Sequence, residues 1–233
     1  MIIESNQDII KIEHGADVKN IGIKLSGGAD SAMVTYLLCK YITEEKHYKD
    51  KTLVPFTTIH GGKPTNLWYA LRVKWWMREN FPDVCWHEEY FTNHANGDNY
   101  GDKVNELSDE LFEKKVIDFK YSGVTANPPR DVHSKFKGVG DPSCSIPPGG
   151  GLRGGLPFDR DKVEGYKIDT SDGKIFANID KQGIAELYER YGLMDTLFPL
   201  TRTCEDSWAN AEQMPHCGEC VWCEERLWGF GKL

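Results

Sequence analysis

The stretch Ile21-Gly22-Ile23-Lys24-Leu25-Ser26-Gly27-Gly28-Ala29-Asp30-Ser31 decides how this chain is read. An apolar run ends at Leu25, two adjacent glycines follow, and Met33, Tyr36, Leu37 and Tyr41 then recur at three- and four-residue intervals. The pattern predicts a strand, a tight loop and a helix that buries one stripe against a sheet. Adjacent glycines let the backbone turn sharply and lie against a ligand with no Cβ in the way. The helix start directs unpaired N–H groups and its positive dipole end at the loop. Such a combination is a cradle for phosphate. Ser26 and Ser31 add hydroxyl donors, and Asp30 can cap the helix or hold a magnesium ion that phosphates bring along. The common phosphate loop, with Lys after its last glycine, and the spaced glycines of a dinucleotide fold are different patterns.

The rest of the chain sets the limits within which that loop works. At 233 residues it can be one large α/β domain, or one domain with an appendage. A chain of that length can bury roughly 70% of its unfolded surface. Hydrophobic residues make up 39% and aromatics 12%, a globular composition. No apolar run approaches the ~20 residues needed to cross a bilayer. The opening Met1-Ile2-Ile3-Glu4-Ser5-Asn6 has no basic region followed by an apolar core, so a cytoplasmic location is expected. The net charge of -8, from 28 basic and 36 acidic residues, argues against nucleic acid as a direct substrate. Oligomeric state stays open, a homodimer included.

Residues 1–20 read as an edge strand or arm with a short apolar alternation around Ile9 to Ile12. Thr52 to Ile59 is β-branched and bounded by Gly61-Gly62, a second strand of the sheet. Thr65 can cap a helix with Leu67, Ala70, Leu71 and Trp75 on one face, ending before Pro82. Val84 to Phe91 is a third strand, Asp102 opens a helix carrying Val104, Leu107 and Leu111, and Phe119 to Thr125 is a fourth strand. Strands alternating with helices predict an α/β fold, a parallel sheet flanked by helices, with ligands outside the carboxyl ends of the strands.

From Asn127 to Asp161 the prolines and glycines crowd into a long loop insertion in which Arg130, His133, Lys135, Lys137 and Arg153 supply cations. An active-site lid and a disordered insertion both fit that composition. Tyr166 to Thr170 and Lys174 to Ala177 flank Ser171-Asp172-Gly173 as a hairpin would. Asp180 caps a helix bearing Ile184, Leu187, Tyr188 and Tyr191, closed by Gly192. Lys181, in its first turn, opposes the dipole, so it points to solvent, the commoner outcome for a lysine, or meets a bound anion.

The tail carries a second signal, Cys204 followed by Cys217-Gly218-Glu219-Cys220-Val221-Trp222-Cys223. Cysteines this close converge two thiolates on one ion, Gly218 permits the turn, and Cys204 completes a tetrahedron, the pattern of a closed zinc site. An iron–sulfur cluster is the rival, although the Cys-Pro that extends such runs in ferredoxins does not follow here.

SGGADS after a buried strand resembles the SGGxDS signature of the PP-loop ATP pyrophosphatases, which split ATP between its α and β phosphates. The tail adds Thr201-Arg202-Thr203-Cys204 and, after Cys223, Glu224-Glu225-Arg226. With Ile179-Asp180-Lys181 and the approach Phe198-Pro199-Leu200-Thr201, the chain resembles the 7-cyano-7-deazaguanine synthase family over residues 21–60 and 175–228. That resemblance implies a PP-loop domain over residues 1–200 and a zinc-binding tail over 201–233. It implies adenylation of a 7-carboxy-7-deazaguanine carboxylate by ATP, amidation with ammonia and a second ATP-driven dehydration to the nitrile, within queuosine biosynthesis. Leu25, Ser26, Gly27, Gly28, Ala29, Asp30 and Ser31 match the ATP loop, served by Mg²⁺. Asp30, Ser31 and Lys181 are the catalytic candidates, and Cys204, Cys217, Cys220 and Cys223 match the Zn²⁺ ligands. Where the family follows its fourth strand with a run like DYSGYPDCR, this chain has Gly123-Val124-Thr125-Ala126-Asn127-Pro128-Pro129-Arg130-Asp131. A different acceptor, or a reaction that stops at the amide, fits the same ATP loop. Thiolation of tRNA or a nucleotide would need a persulfide-carrying cysteine, for which Cys144 alone is a candidate because Cys39 falls on a helix and Cys85 on a strand, and a non-catalytic zinc-stabilised adaptor is the remaining alternative.

Overall fold

The computed structural model describes residues 1–45, 48–60, 65–94, 100–128, 170–204 and 216–233, and of residues 60, 93, 94 and 100–104 the backbone alone. The first residues form a small antiparallel ribbon, β1 (Ile2–Glu4) paired with β2 (Ile9–Lys11), in which Ile3 stands opposite Ile10. Alternation turns Ile3, Ile10 and Ile12 into the core and leaves Ile2 and Ile9 outside.

The central sheet is parallel. β3 (Asn20–Lys24) lies between β4 (Thr52–His60) and β7 (Phe119–Ser122), and the far side of β4 pairs with both β5 (Cys85–Trp86) and β6 (Tyr90–His94). The chain runs from β3 through α1 (Ala29–Glu44) to β4, through α2 (Thr65–Asn80) to β5 and β6, then back through α3 (Tyr100–Glu113) to β7 on the opposite side of β3. The order therefore reverses between β3 and β7, the switch point at which open parallel sheets gather ligands. Two further α-helices lie among the described residues, α4 (Lys181–Arg190) and α5 (Val221–Phe230). Leu53 of β4 packs with α1, α2 and α4 on one face, while its neighbours Val54 and Phe56 pack with Leu107 and Leu111 of α3 on the other. No helix among the described residues is long and apolar enough to cross a membrane.

The strand expected over Val84 to Phe91 is divided in two, and Pro55 explains why. Thr52 donates its N–H to Lys19 on the β3 side, and the Leu53 carbonyl accepts from His87 on the β5 side. By alternation Pro55 faces the β5 and β6 side, where it has no N–H to offer. The ladder stops at Leu53↔Trp86 and resumes at Phe56↔Tyr90. Lys74 fills the break, donating to the His87 carbonyl at 3.0 Å and pairing with Glu89 at 2.6 Å.

That anchoring also turns α2. Its buried residues are Tyr69, Ala70, Val73, Lys74 and Met77, while Trp75, expected on the inner face, is 62% exposed. The second arm of the hairpin expected around Ser171-Asp172-Gly173 is not a strand. Gly173 makes its turn with φ of 84°, but Lys174 to Ala177 continues in tight turns, with Phe176 in an isolated parallel bridge to Thr125 beyond the end of β7. A Cβ on Gly173 would lie 1.9 Å from the Lys120 carbonyl oxygen, so the turn docks end-on against β7. Residues 166–169, the hairpin's other arm, and most of the proline-glycine segment, with Arg130, His133, Lys135, Lys137, Cys144 and Arg153, lie outside the described residues.

At the sheet's amino end His14 sits among aromatic rings, with centroids 5.8 Å from Tyr41, 5.3 Å from Tyr48 and 6.2 Å from Tyr121, and its Nδ1 is 3.1 Å from the Tyr121 hydroxyl. Burial, with help from the Lys51 charge, lowers its pKa from 6.5 to about 4. Between those two values the unfolded chain binds more protons than the folded one, so stability declines as pH falls from about 6.5 to about 4. The urea midpoint of His14→Phe should fall less steeply over that window than the wild type's. Equal slopes would mean that His14 is not held neutral in the fold.

Candidate functional site

The glycine loop sits where β3 ends. Leu25 is still held by the sheet, donating to Phe56 O at 3.0 Å and accepting from the Thr57 hydroxyl at 2.6 Å. Gly27 then turns with φ of 78°, and a Cβ on it would lie 2.5 Å from the Tyr69 Cβ and 2.7 Å from the Ala70 nitrogen. Only glycine lets α2 cross here. Gly28 occupies the N-cap of α1 and has no side chain with which to cap it. The first-turn N–H groups of the helix are thus available to an anion. Ser31 Oγ donates to Gly28 O at 3.0 Å and lies 3.2 Å from Ser26 Oγ, so both hydroxyls sit beside the bend.

The loop after β7 closes the opposite wall. A Cβ on Gly123 would fall 2.6 Å from the Ser31 nitrogen and 2.7 Å from the Asp30 carbonyl carbon, so this glycine allows two backbones to touch at the switch point. Ala126 N donates to Ile179 O at 2.9 Å, which sets the start of α4 beside that exit. Asp180 caps α4, accepting from Gln182 and Gly183, and its own position is fixed by reciprocal hydrogen bonds with the Gln7 amide at 2.8 and 3.0 Å.

Lys181 is not solvated. It is 1% exposed, and its ammonium group is paired with the Asp30 carboxylate and lies 3.9 Å from the carboxylate of Glu225, itself fully buried on α5. Among the described residues the structure thus brings Asp30, Ser31 and Lys181 together, although α1 and α4 are far apart in sequence. Tyr188 strengthens the same junction by donating to Ala29 O at 2.9 Å.

Two further cations stand near the site that were not among its candidate residues, although Arg226 belongs to the run that carries the family resemblance. Lys24, near the carboxyl end of β3, has its pKa lowered to about 8 by burial and by Lys120. A lysine inside an apolar strand was the available sign. Arg226 is buried on α5 with its guanidinium 3.8 Å from the Phe198 ring centroid, donating to the hydroxyls of Thr201 and Thr203 at 3.0 Å each. Burial lowers its pKa to about 10, which leaves it charged at neutral pH.

The four tail cysteines converge. Their Sγ atoms all lie within 4.8 Å of one another, with 3.8 Å between Cys217 and Cys223 and 3.9 Å between Cys204 and Cys220. Four sulfurs bonded to one zinc at ~2.3 Å in a tetrahedron stand ~3.8 Å apart, so the set could hold a metal ion such as zinc. Gly218, with φ of 79°, makes the turn, and the backbone N–H groups of Cys217, Glu219 and Cys220 approach Sγ atoms at 3.3 to 3.5 Å. Such donors orient thiolates and spread their charge.

The segment between the glycine loop and the cysteines joins them residue by residue. Thr201 and Thr203 accept from Arg226, Arg202 donates its N–H to Gly27 O at 2.8 Å and its guanidinium to the Thr65 hydroxyl at 2.6 Å, and Cys204 enters the sulfur cluster. The thiols outside the cluster are elsewhere. Cys39 is buried in α1, where desolvation raises its pKa, and Cys85 pairs with Thr52 at the amino end of β4, away from the loop. No protein-family model matches this chain, and no curated protein matches its sequence.

Two outcomes follow from this geometry. Gly123→Ala must push backbone against backbone, and a thermal midpoint lower by roughly 5 °C, or ~2 kcal/mol, is expected. A midpoint equal to the wild type's would show that the loop yields freely. A strong chelator should remove one metal ion per chain, read by mass spectrometry, and lower the unfolding temperature; Cys220→Ser should show the same loss without chelator.

Proposed function

We propose that this chain is an ATP-dependent, carbon–nitrogen bond-forming ligase of the PP-loop type, similar to 7-cyano-7-deazaguanine synthase. The supporting observation is that the three sequence signals linked to that family, the glycine loop, Lys181 and the four-cysteine tail, belong to one connected unit at the carboxyl end of β3.

A carboxylate is a poor electrophile until it carries a good leaving group. Its oxygen attacks the α-phosphorus of ATP, pyrophosphate departs, and ammonia displaces AMP from the acyl adenylate to give the amide. The amide oxygen then attacks the α-phosphorus of a second ATP, pyrophosphate departs, and loss of AMP with two protons from the adenylated amide leaves the nitrile. The first-turn N–H groups of α1 and the hydroxyls of Ser26 and Ser31 serve as donors to the phosphate oxygens, stabilising the charge that grows on pyrophosphate. Lys181 adds a cation beside the loop, and Asp30 is the residue that would hold Mg²⁺. The magnesium ion, when bound, neutralises phosphate charge. Zinc in the tail is structural, and four reduced thiolates suit a cytoplasmic setting.

The acceptor is set by residues beyond β7, where the chain departs from the family run. Gly123 there lies against the Asp30–Ser31 backbone. A related deazapurine carboxylate or an amide product is the second reading. Thiolation draws no support from Cys39 or Cys85, given their places in the fold.

Purified protein given ATP, Mg²⁺, ammonia and 7-carboxy-7-deazaguanine should release AMP and form the nitrile. AMP without nitrile points to the second reading, and no AMP with any carboxylate acceptor defeats the ligase assignment. Ser31→Ala should slow AMP release about 100-fold with the fold retained, since it removes one donor from the phosphates. Unimpaired turnover would place the chemistry elsewhere.

A further inference from the structure

Glu225 is a carboxylate without an obvious task. It is fully buried, and it stands on the helix that begins at the metal-binding turn rather than in the glycine loop. Removing a carboxylate from water costs several kcal/mol unless a cation answers it. Its neighbour Arg226 directs its guanidinium to Thr201, Thr203 and the Phe198 carbonyl. The cation that faces Glu225 is Lys181, 3.9 Å away, beyond hydrogen-bond length. Asp30 holds that ammonium more closely. The helices are locked around this arrangement, because a Cβ on Gly229 would lie 2.3 Å from the Lys181 Cβ. Lys181 therefore has its backbone and Cβ held between α4 and α5, and its charged end lies between two carboxylates at unequal distances.

On the reading that loop 25–31 binds Mg²⁺ and ATP, a magnesium ion at Asp30 would compete with Lys181 for the charge of that carboxylate. We infer that Glu225 is a positioning residue for Lys181, taking the ammonium group as Asp30 turns to the metal and keeping it beside the phosphates. Two carboxylates and one ammonium make the exchange possible without stranding a buried charge at any stage. A flexible four-carbon stem covers the short distance. With Gln in place of Glu225 the ammonium loses the carboxylate 3.9 Å away, and magnesium must compete with Lys181 for Asp30.

The test reads magnesium dependence. ATP binding to the zinc-loaded chain is followed by calorimetry over a series of Mg²⁺ concentrations, with zinc content and circular dichroism as controls. Glu225→Gln should raise the Mg²⁺ concentration for half-maximal binding about tenfold, and Glu225→Asp, which keeps the charge, should recover most of it. A variant that merely loosened the core would weaken ATP binding equally at all magnesium concentrations. An unchanged magnesium requirement in a Glu225→Gln chain that binds ATP overturns the inference and leaves the ligase reading intact. Wild-type protein that binds no ATP at any magnesium concentration overturns both. Should Glu225→Gln fail to fold, the triple variant Asp30→Asn/Lys181→Met/Glu225→Gln, which removes the ammonium with both carboxylates around it, decides whether these charges answer one another: recovery of the fold supports the grouping, and continued failure overturns it.

Discussion

A buried ammonium group holds the centre of this structure together. Lys181 stands in the first turn of α4, where the helix dipole repels a cation, and it is almost completely removed from water. Such a placement is tolerable only with anions in reach, and they come from two other helices, Asp30 from α1 and Glu225 from α5. The three helices must then meet at one point. Gly229 lets α5 approach the Lys181 backbone, and Tyr188 reaches from α4 to the first turn of α1.

Around that point the loop is shaped by close backbone contacts. α2 passes over Gly27, the exit of β7 presses on Ser31 through Gly123, and Arg202 binds the Gly27 carbonyl. The bend is thus fixed by contacts from three other parts of the chain.

The cysteine tail takes part in the same construction. Cys223 lies in the first turn of α5, and Glu225 and Arg226 follow it directly. A metal held by the four thiolates would fix the start of α5, and with it the heading of Glu225 toward Lys181 and of Arg226 toward Thr201 and Thr203. The tail thus acts on the loop through buried charge and hydrogen bonds.

Local chemistry made several features readable from the residues in order. Apolar run, paired glycines and helical spacing foretold β3, its loop and α1, the Asp180 cap foretold α4, and cysteine spacing foretold the sulfur cluster, because each depends on neighbours within a few residues. Other features depend on partners distant in sequence. The division of β5 from β6 comes from a proline on the adjacent strand, the rotation of α2 from Gly27 below it and from Lys74 filling the strand break, and the burial of Lys181 from carboxylates on α1 and α5. The chain by itself determined which elements form and which residues can bend or ligate. Only tertiary packing decided which charges go into the interior, since a charge can be buried only where another part of the fold brings its counter-charge.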